Sequence, residues 1–598
     1  MQFKLRNATI PGFSAIEQVL FNRGIAQKDF LHYLHTTDSD IAHYSCFGDS
    51  IYKAARALVK AIADGADAWV IVDCDCDGMT SAALLINYLH RSFPAWVENH
   101  LSWYLHPGKQ HGLSDFDYMT IVKSGDLIIC PDSSSNDYEI HQKIAELDGL
   151  VVVLDHHEAE KISENAIIVN NQLSDYPNKN LSGVGVTWQF CRLLDEMMSI
   201  SRAEDYLDLV AIGLVGDMMD IRSFETCHLI KIGLDLDNFH NPFLYELACK
   251  NKFSLGSFIT PIGAAFYIVP FINSMMRSGT LEEKQLMFES MLDFKAYKEI
   301  PSTKRGHQPG EMEKVVTQAV RVATNVKNRQ TKAQDVGMEM LEDRIAKEGM
   351  LKDKALVFYL EKEEIDRNIA GLCANKLMAK YQRPCCILTK VSEPIEGQPL
   401  DESSYQGSAR GYTKTGLLDF KEVCSKFSKI LYCEGHANAF GLGIPEDFKE
   451  EFKQFLNNSL SDLPTEPVYY VDYIYDNVNV NAEQILDLSR YISLWGQELE
   501  EPLVAIKGLK ISSKDISIKS PDKSPTLVIS LSCGVELIKF KVSELEIEYL
   551  LGTGDEERPP YFYLNVVGKC QKNEWGGRIT PQIKIEDCEI TGYSNYDF

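Results

Sequence analysis

The stretch "VIVDCDCDGMTSAA", residues 70–83, sets Asp73, Asp75 and Asp77 two residues apart behind an apolar run and then turns on Gly78. The run itself, Ala68–Val72 (AWVIV), reads as a buried strand, and residues 80–90 read as a helix. Three carboxylates this close repel one another, so the pattern is tolerable only if something positive sits among them.

The same arrangement recurs outward from that stretch. Residues 126–130 (DLIIC) are a second apolar run followed by Pro131-Asp132, and residues 149–154 (GLVVVL) a third followed by Asp155-His156-His157. A shorter fourth run is IIV at 167–169, and the helix-like period of 205–215 leads into Gly216-Asp217. Continuous apolar runs separated by helices predict a parallel sheet covered on both faces. Ligands of such sheets bind beyond the carboxyl ends of the strands, so these groups are expected on one edge. Carboxylates and imidazoles suit Mn²⁺ or Mg²⁺. They are more than one ion needs, and a carboxylate-bridged pair of ions is the usual machinery for phosphodiester cleavage. An isolated Asp-x-Asp is ordinarily a solvated turn; the recurrence is what points to a metal centre. Cys74 and Cys76 read as small strand-end side chains.

At 598 residues the chain should hold two to four domains. There is no apolar run of membrane-spanning length and no signal-peptide pattern, and fifteen cysteines in this length read as reduced thiols, so a cytoplasmic protein with no membrane partner is expected. The net charge of −26 argues against a broad basic DNA-binding face but leaves room for a narrow basic groove. Residues 310–350 are charged and nearly free of proline and glycine, which predicts one long helix or a helix pair after an exposed "STKRGHQPGE" loop. A new strand at 355–360 (ALVFYL) opens a second α/β region, "SDLPTEP" reads as a linker, and alternating patterns at 527–531 and 561–567 predict a β-rich third region.

These residues resemble the DHH phosphoesterase superfamily, and within it the RecJ-like single-strand-specific exonucleases. Asp73 to Gly78 match its first motif, Asp132 the second, Asp155-His156-His157 the name-giving third and Asp217 the fourth. "LHPGKQHGLS" is similar to the family's Pro-x-Arg…Gly-Tyr-Gly-Leu, with Lys109 and His111 replacing Arg and Tyr. "LSGVGVTWQF" resembles its Leu-x-Gly-Val-Gly-Val helix start, and "PFINSMMR" keeps the Asn and Arg of Asn-Ala-x-Gly-Arg at Asn273 and Arg277. "GSARG" (407–411) and "EGHANAFGLGI" (434–444) look like the family's nucleic-acid-binding module, with Glu434 and Phe440 as departures. "NEWGGRITPQIKIED" resembles the last strands of its OB-fold domain.

The resemblance implies an α/β protein: a parallel-sheet DHH domain (1–300), a helical linker (301–350), a second α/β, DHHA1-like domain (351–462) and a C-terminal β-rich OB-fold-like domain (467–598). It implies Asp75, Asp77, Asp132, His156 and Asp217 as ligands of two Mn²⁺ or Mg²⁺ ions, with Asp132 bridging, Asp73 beside them, and His157 ligating or touching the scissile phosphate. Ser408, Arg410 and Arg277 would receive a terminal 5′-phosphate, and Lys109, Asn273, Gly435 and His436 would contact the strand. The implied activity is 5′→3′ hydrolysis of single-stranded DNA to mononucleotides in recombination or repair. Residues 467–598 carry 13 Lys and Arg against 21 Asp and Glu, a net of −8. This domain would therefore bind strands through aromatics such as Trp575 and Tyr561, unless these are core, or dock a single-strand-binding protein or helicase. Two alternatives remain: a DHH phosphodiesterase of short oligonucleotides or cyclic dinucleotides, and a non-catalytic RecJ-like replication scaffold.

Overall fold

The computed structural model describes residues 1–108, 110–391, 400–464, 466–477, 479–520, 524–552 and 559–596; Lys109 and the side chain of Trp575 lie outside the described residues. The chain divides into two compact units. One comprises Arg23–Asn328 with Tyr491–Glu501, the other Met1–Asn22, Arg329–Arg490 and Pro502–Phe598.

The first unit is built on a sheet of five strands, β1 (Ala68–Val72), β2 (Leu101–Leu105), β3 (Leu127–Pro131), β4 (Leu150–Asp155) and β5 (Ala166–Asn170). They lie in the order β2-β1-β3-β4-β5 and every pairing is parallel. On one face Ile71, Ile128, Val151 and Val153 pack with Leu113, Phe116 and Ile144. Helices α1 (Cys76–Ser92), α2 (Gly183–Met198) and α3 (Leu207–Gly216) pack on one another beside the sheet. The strands are buried on both faces, which is why their sequences are near-continuous apolar runs. β2 was not among the expected strands. As an edge strand it leaves Ser102 exposed and Trp103 and Tyr104 half-buried, so LSWYL has no apolar run to betray it. Two further helices matter for the site, α4 (Val269–Ser278) and α5 (Leu281–Met291). The "STKRGHQPGE" stretch is the tip of a hairpin between Glu299–Pro301 and Met312–Lys314.

The expected linker is a single helix, α6 (Val315–Glu348), within which the division between units falls. The second unit holds a mixed five-stranded sheet: β6 (Leu356–Leu360), β7 (Cys385–Lys390), β8 (Ser404–Arg410), β9 (Tyr432–His436) and β10 (Ala439–Pro445), in the order β9-β10-β8-β7-β6. Only the β6–β7 pairing is parallel. Helix α7 (Arg367–Tyr381) packs on β7 and β8. The C-terminal region is β-rich, a seven-stranded sheet whose longest strands, Tyr561–Trp575 and Arg578–Ser594, form an antiparallel hairpin. In this unit the N-terminal strand Gln2–Leu5 pairs in parallel with Val468–Val471.

Candidate metal centre

Three of the four acidic motifs leave the sheet at the carboxyl end of a strand, and the fourth, Asp217, ends helix α3. Asp73 follows β1, Asp132 follows β3 and Asp155 ends β4. Asp132 holds a left-handed backbone, φ 66°, and its amide donates to Leu154 O at 2.8 Å, which turns the chain sharply at the sheet edge. Aspartate is among the few residues that tolerate this conformation.

Three groups of ligand atoms each lie within 4.8 Å of one another: Asp132, Asp155, His156 and His157; Asp77, His156 and Asp217; and Asp73, Asp75 and Asp132. All seven metal-ligand candidates are thus brought together. His156 Nε2 lies 3.3 Å from both Asp132 Oδ1 and Asp217 Oδ2, and 4.0 Å from Asp77 Oδ2. Both His156 Nε2 and Asp132 Oδ1 are buried and make no hydrogen bond. Buried polar atoms are seldom left unpaired, and here lone pairs face lone pairs. A hard or borderline divalent cation, with its preference for oxygen and imidazole nitrogen, fits this donor set.

The electrostatics agree. Burial, then the neighbouring carboxylates Asp77 and Asp75, pushes Asp132 well above the usual carboxylate range. The same causes lift Asp217 to about 8, and burial raises Asp75 and Asp77. Burial, with His157 beside it, lowers His156 to about 4, so its ring is neutral and available as a ligand. Burial disfavours the charge on His157 too, but the 2.8 Å hydrogen bond to Asp155 prevails and raises it to about 9. Asp155 is held below the ordinary range by that partner, against its burial.

Several groups orient the ligands. Asp77 accepts from Ser182 Oγ at 2.9 Å and from the amides of Gly183 at 2.7 Å and Val184 at 3.2 Å, so the first turn of α2 grips it. Asp75 caps α1, accepting from Gly78 N at 3.0 Å. Both oxygens of Asp73 are engaged, by His111 Nδ1 at 2.7 Å and Gly112 N at 3.0 Å. Asp155 accepts from the amides of Ser135 and His156, and Asn170 Nδ2 donates to His157 O. Asp155 was read as part of the Asp155-His156-His157 motif but not as a site residue, and Ser182 and Asn170 were not singled out. The "LSGVGV" match was the only signal for Ser182, and it did not reveal that Ser182 serves an aspartate 105 residues away. Cys74 and Cys76 are buried thiols that donate to the carbonyls of Gly108 and Ile212, and belong to none of the three groups.

The remaining candidates are distributed over both units. Asn273 and Arg277 lie on α4 in the first unit; Asn273 Oδ1 is buried without a hydrogen bond and Arg277 is exposed. In the second unit Ser408 and Arg410 lie on one face of β8 against α7, where a Cβ on Gly371 would meet Arg410 Nη2 at 2.8 Å and Ser408 Oγ at 3.2 Å. Gly435, at φ 122°, and His436 are exposed on β9. Phe440 is a core residue, buried with its ring 5.6 Å from Phe420, which accounts for a phenylalanine in this part of "EGHANAFG". The Tyr561 ring is half-buried, with Lys510 Nζ 4.9 Å from its centroid.

Comparison with known proteins agrees with this geometry. Residues 68–214 match the DHH family, N-terminal domain. The chain is 32% identical over 592 residues to a protein of Bacillus subtilis (strain 168) provisionally named SPbeta prophage-derived single-strand DNA-specific exonuclease YorK, covering 99% of this chain and 98% of that one. It is 23% identical over 602 residues to the single-stranded-DNA-specific exonuclease RecJ of the same organism, covering 97% of this chain and 69% of that protein. The crystal structure of Thermus thermophilus RecJ in complex with Mn²⁺ superposes with a TM-score of 0.67 at 18% identity, over 96% of this chain and 75% of that one. Its Mg²⁺ complex gives 0.62 over 98% and 78%. The chain belongs to the DHH family, among the RecJ-like single-strand-DNA-specific exonucleases.

Proposed function

We propose that the protein removes mononucleotides from the 5′ end of single-stranded DNA, using two Mn²⁺ or Mg²⁺ ions held by Asp75, Asp77, Asp132, His156 and Asp217. The observation that carries this reading is the pair of buried, unbonded atoms Asp132 Oδ1 and His156 Nε2 at the meeting point of the three ligand groups. Asp132 belongs to two of those groups, which supports a bridging role for it. A bound pair of divalent ions supplies Lewis acidity to the phosphate and a water of near-neutral pKa.

The chain's own residues do the rest. His157, cationic through its Asp155 partner, is suited to holding a non-bridging phosphate oxygen, and it is more than half exposed. The amides of Gly183 and Val184 fix Asp77 so that its orientation need not be found on binding. Asn273 and Arg277 would hold the DNA backbone at the first unit, while Ser408 and the planar fork of Arg410 would take the terminal phosphate at the second. A 5′-phosphate site would set polarity and stepwise removal. The β-rich C-terminal region, which we read as an OB-fold, would bind the strand beyond the site or dock a single-strand-binding protein or helicase; a place in recombination or repair follows from that substrate.

The test is degradation of a single strand of about 30 nucleotides, long enough for several site sizes, labelled at either end, with Mn²⁺ or Mg²⁺ and with Asp132→Ala alongside. Mononucleotides released from the 5′ end, dependent on metal and lost in the variant, are expected. Strand binding without cleavage under any divalent ion would overturn the reading and leave a non-catalytic scaffold.

A further inference from the structure

Lys284, on α5, is 1% exposed, although lysine is among the residues least often buried. Its ammonium donates to three carbonyls, His106 O at 3.0 Å, Pro107 O at 3.1 Å and Gly108 O at 3.0 Å. An ammonium has three N–H donors, so the set is saturated. The carbonyls belong to the segment that continues edge strand β2. Among the described residues that segment has no second neighbouring strand, and Pro107 has no amide to give to one. Gly108 O also accepts from Cys74 Sγ, between Asp73 and Asp75.

The far end of the same segment is tied to the metal centre. His111 Nδ1 and Gly112 N both bond Asp73, and Leu113 N bonds Asp137 Oδ2 at 2.9 Å. The His111 ring is 65% exposed, at the rim of the carboxylates. The segment is therefore pinned by Lys284 where it starts and by Asp73 where it ends.

We propose that Lys284 is a positioning residue of this nuclease: its ammonium fixes the backbone at His106–Gly108 so that His111, further along the same segment, is presented at the rim of the centre to the phosphodiester backbone of the strand. The proposal rests on the nuclease reading. Lys284 itself touches none of the candidate ligands, and with metal at saturation its influence is read on strand binding.

The experiment is steady-state cleavage of a 5′-labelled strand by wild type, Lys284→Met, Lys284→Gln, His111→Ala and the Lys284→Met/His111→Ala double variant, with a melting curve for each. Freeing the segment must be offset on binding, so Lys284→Met is expected to raise KM about tenfold with kcat within about threefold. Lys284→Gln keeps two N–H donors and recovers part of the loss. In the His111→Ala background Lys284→Met adds less than about twofold, because both act through one segment. An unchanged KM with only a lower melting point or kcat, or full additivity with His111→Ala, would overturn the proposal. If Lys284→Met does not fold, the KM of Lys284→Gln decides. Failure of the wild type to cleave would count against the nuclease reading instead. Strand affinity in Ca²⁺ would then test Lys284, and an unchanged Kd in Lys284→Gln would sink its role.

Discussion

Gly183 sits where no side chain fits: a Cβ there would lie 2.3 Å from Asp132 Oδ1 and 2.6 Å from its Cα. Gly183→Ala must displace either α2 or the Asp132 turn. It should cost about 1–3 kcal/mol by overpacking and, since misplacement of about 1 Å can cost 10²-fold, lower cleavage at least tenfold; thermal melting and kcat/KM together check this. A second expectation concerns acidity. Asp217 is raised to about 8 by burial and by Asp77, so without metal the folded state binds a proton that the unfolded chain has released above its ordinary range near 4. Stability of the metal-free protein should therefore fall as pH rises through that window, and Mn²⁺ should restore it by taking the proton's place. Melting curves at pH 6 and pH 8, with and without Mn²⁺, should give the larger metal-induced rise at pH 8. The candidate ligands could be picked out because each follows an apolar run or helix, where the backbone fixes its direction. Their partners were not. Ser182 and Lys284 reach their targets over 105 and more than 170 residues, and no local pattern encodes such a meeting.

Among the elements, the buried strands β1, β3, β4 and β5 could be read from composition because burial on both faces demands apolar residues at successive positions. β2 at the edge escaped that demand, and with it went the origin of the segment that holds Asp73. The strand Gln2–Leu5 was equally opaque. Its residues alternate weakly and its partner, Val468–Val471, lies far along the chain, so the reading of 1–300 as one domain assigned it elsewhere than the unit in which it pairs. Phe3 packs against Tyr469, Val471, Ala505 and Val567. Phe3→Ala should cost about 1–2 kcal/mol locally, roughly a tenfold increase in opening. Hydrogen exchange at Val468–Val471 is the measurement, with the amides of β1 and β3 expected to be unchanged.

At the scale of the whole molecule, a net charge of −26 constrains how a nucleic-acid enzyme can hold its substrate. Few phosphates can be neutralised by a surface so acidic, and each contact to a single strand contributes about 0.7 to the salt slope. Strand affinity in Ca²⁺ between 50 and 200 mM salt should therefore fall with a slope shallower than about −3, fewer than five contacts' worth. A steeper slope, measured by fluorescence anisotropy, would mean that a basic track has been overlooked.

The unit that carries the metal centre is not continuous in the chain. Tyr491–Glu501 belongs to it, with Gln497 O accepting from Ile221 N and the Glu500 and Glu501 carbonyls accepting from Arg23. During synthesis at ordinary rates this segment emerges roughly 8–35 s after Asn328. A nascent chain thus carries every candidate ligand well before the unit around them is complete. Because one closing segment is placed late, the contacts that complete this unit cannot all form until residues 491–501 have been made.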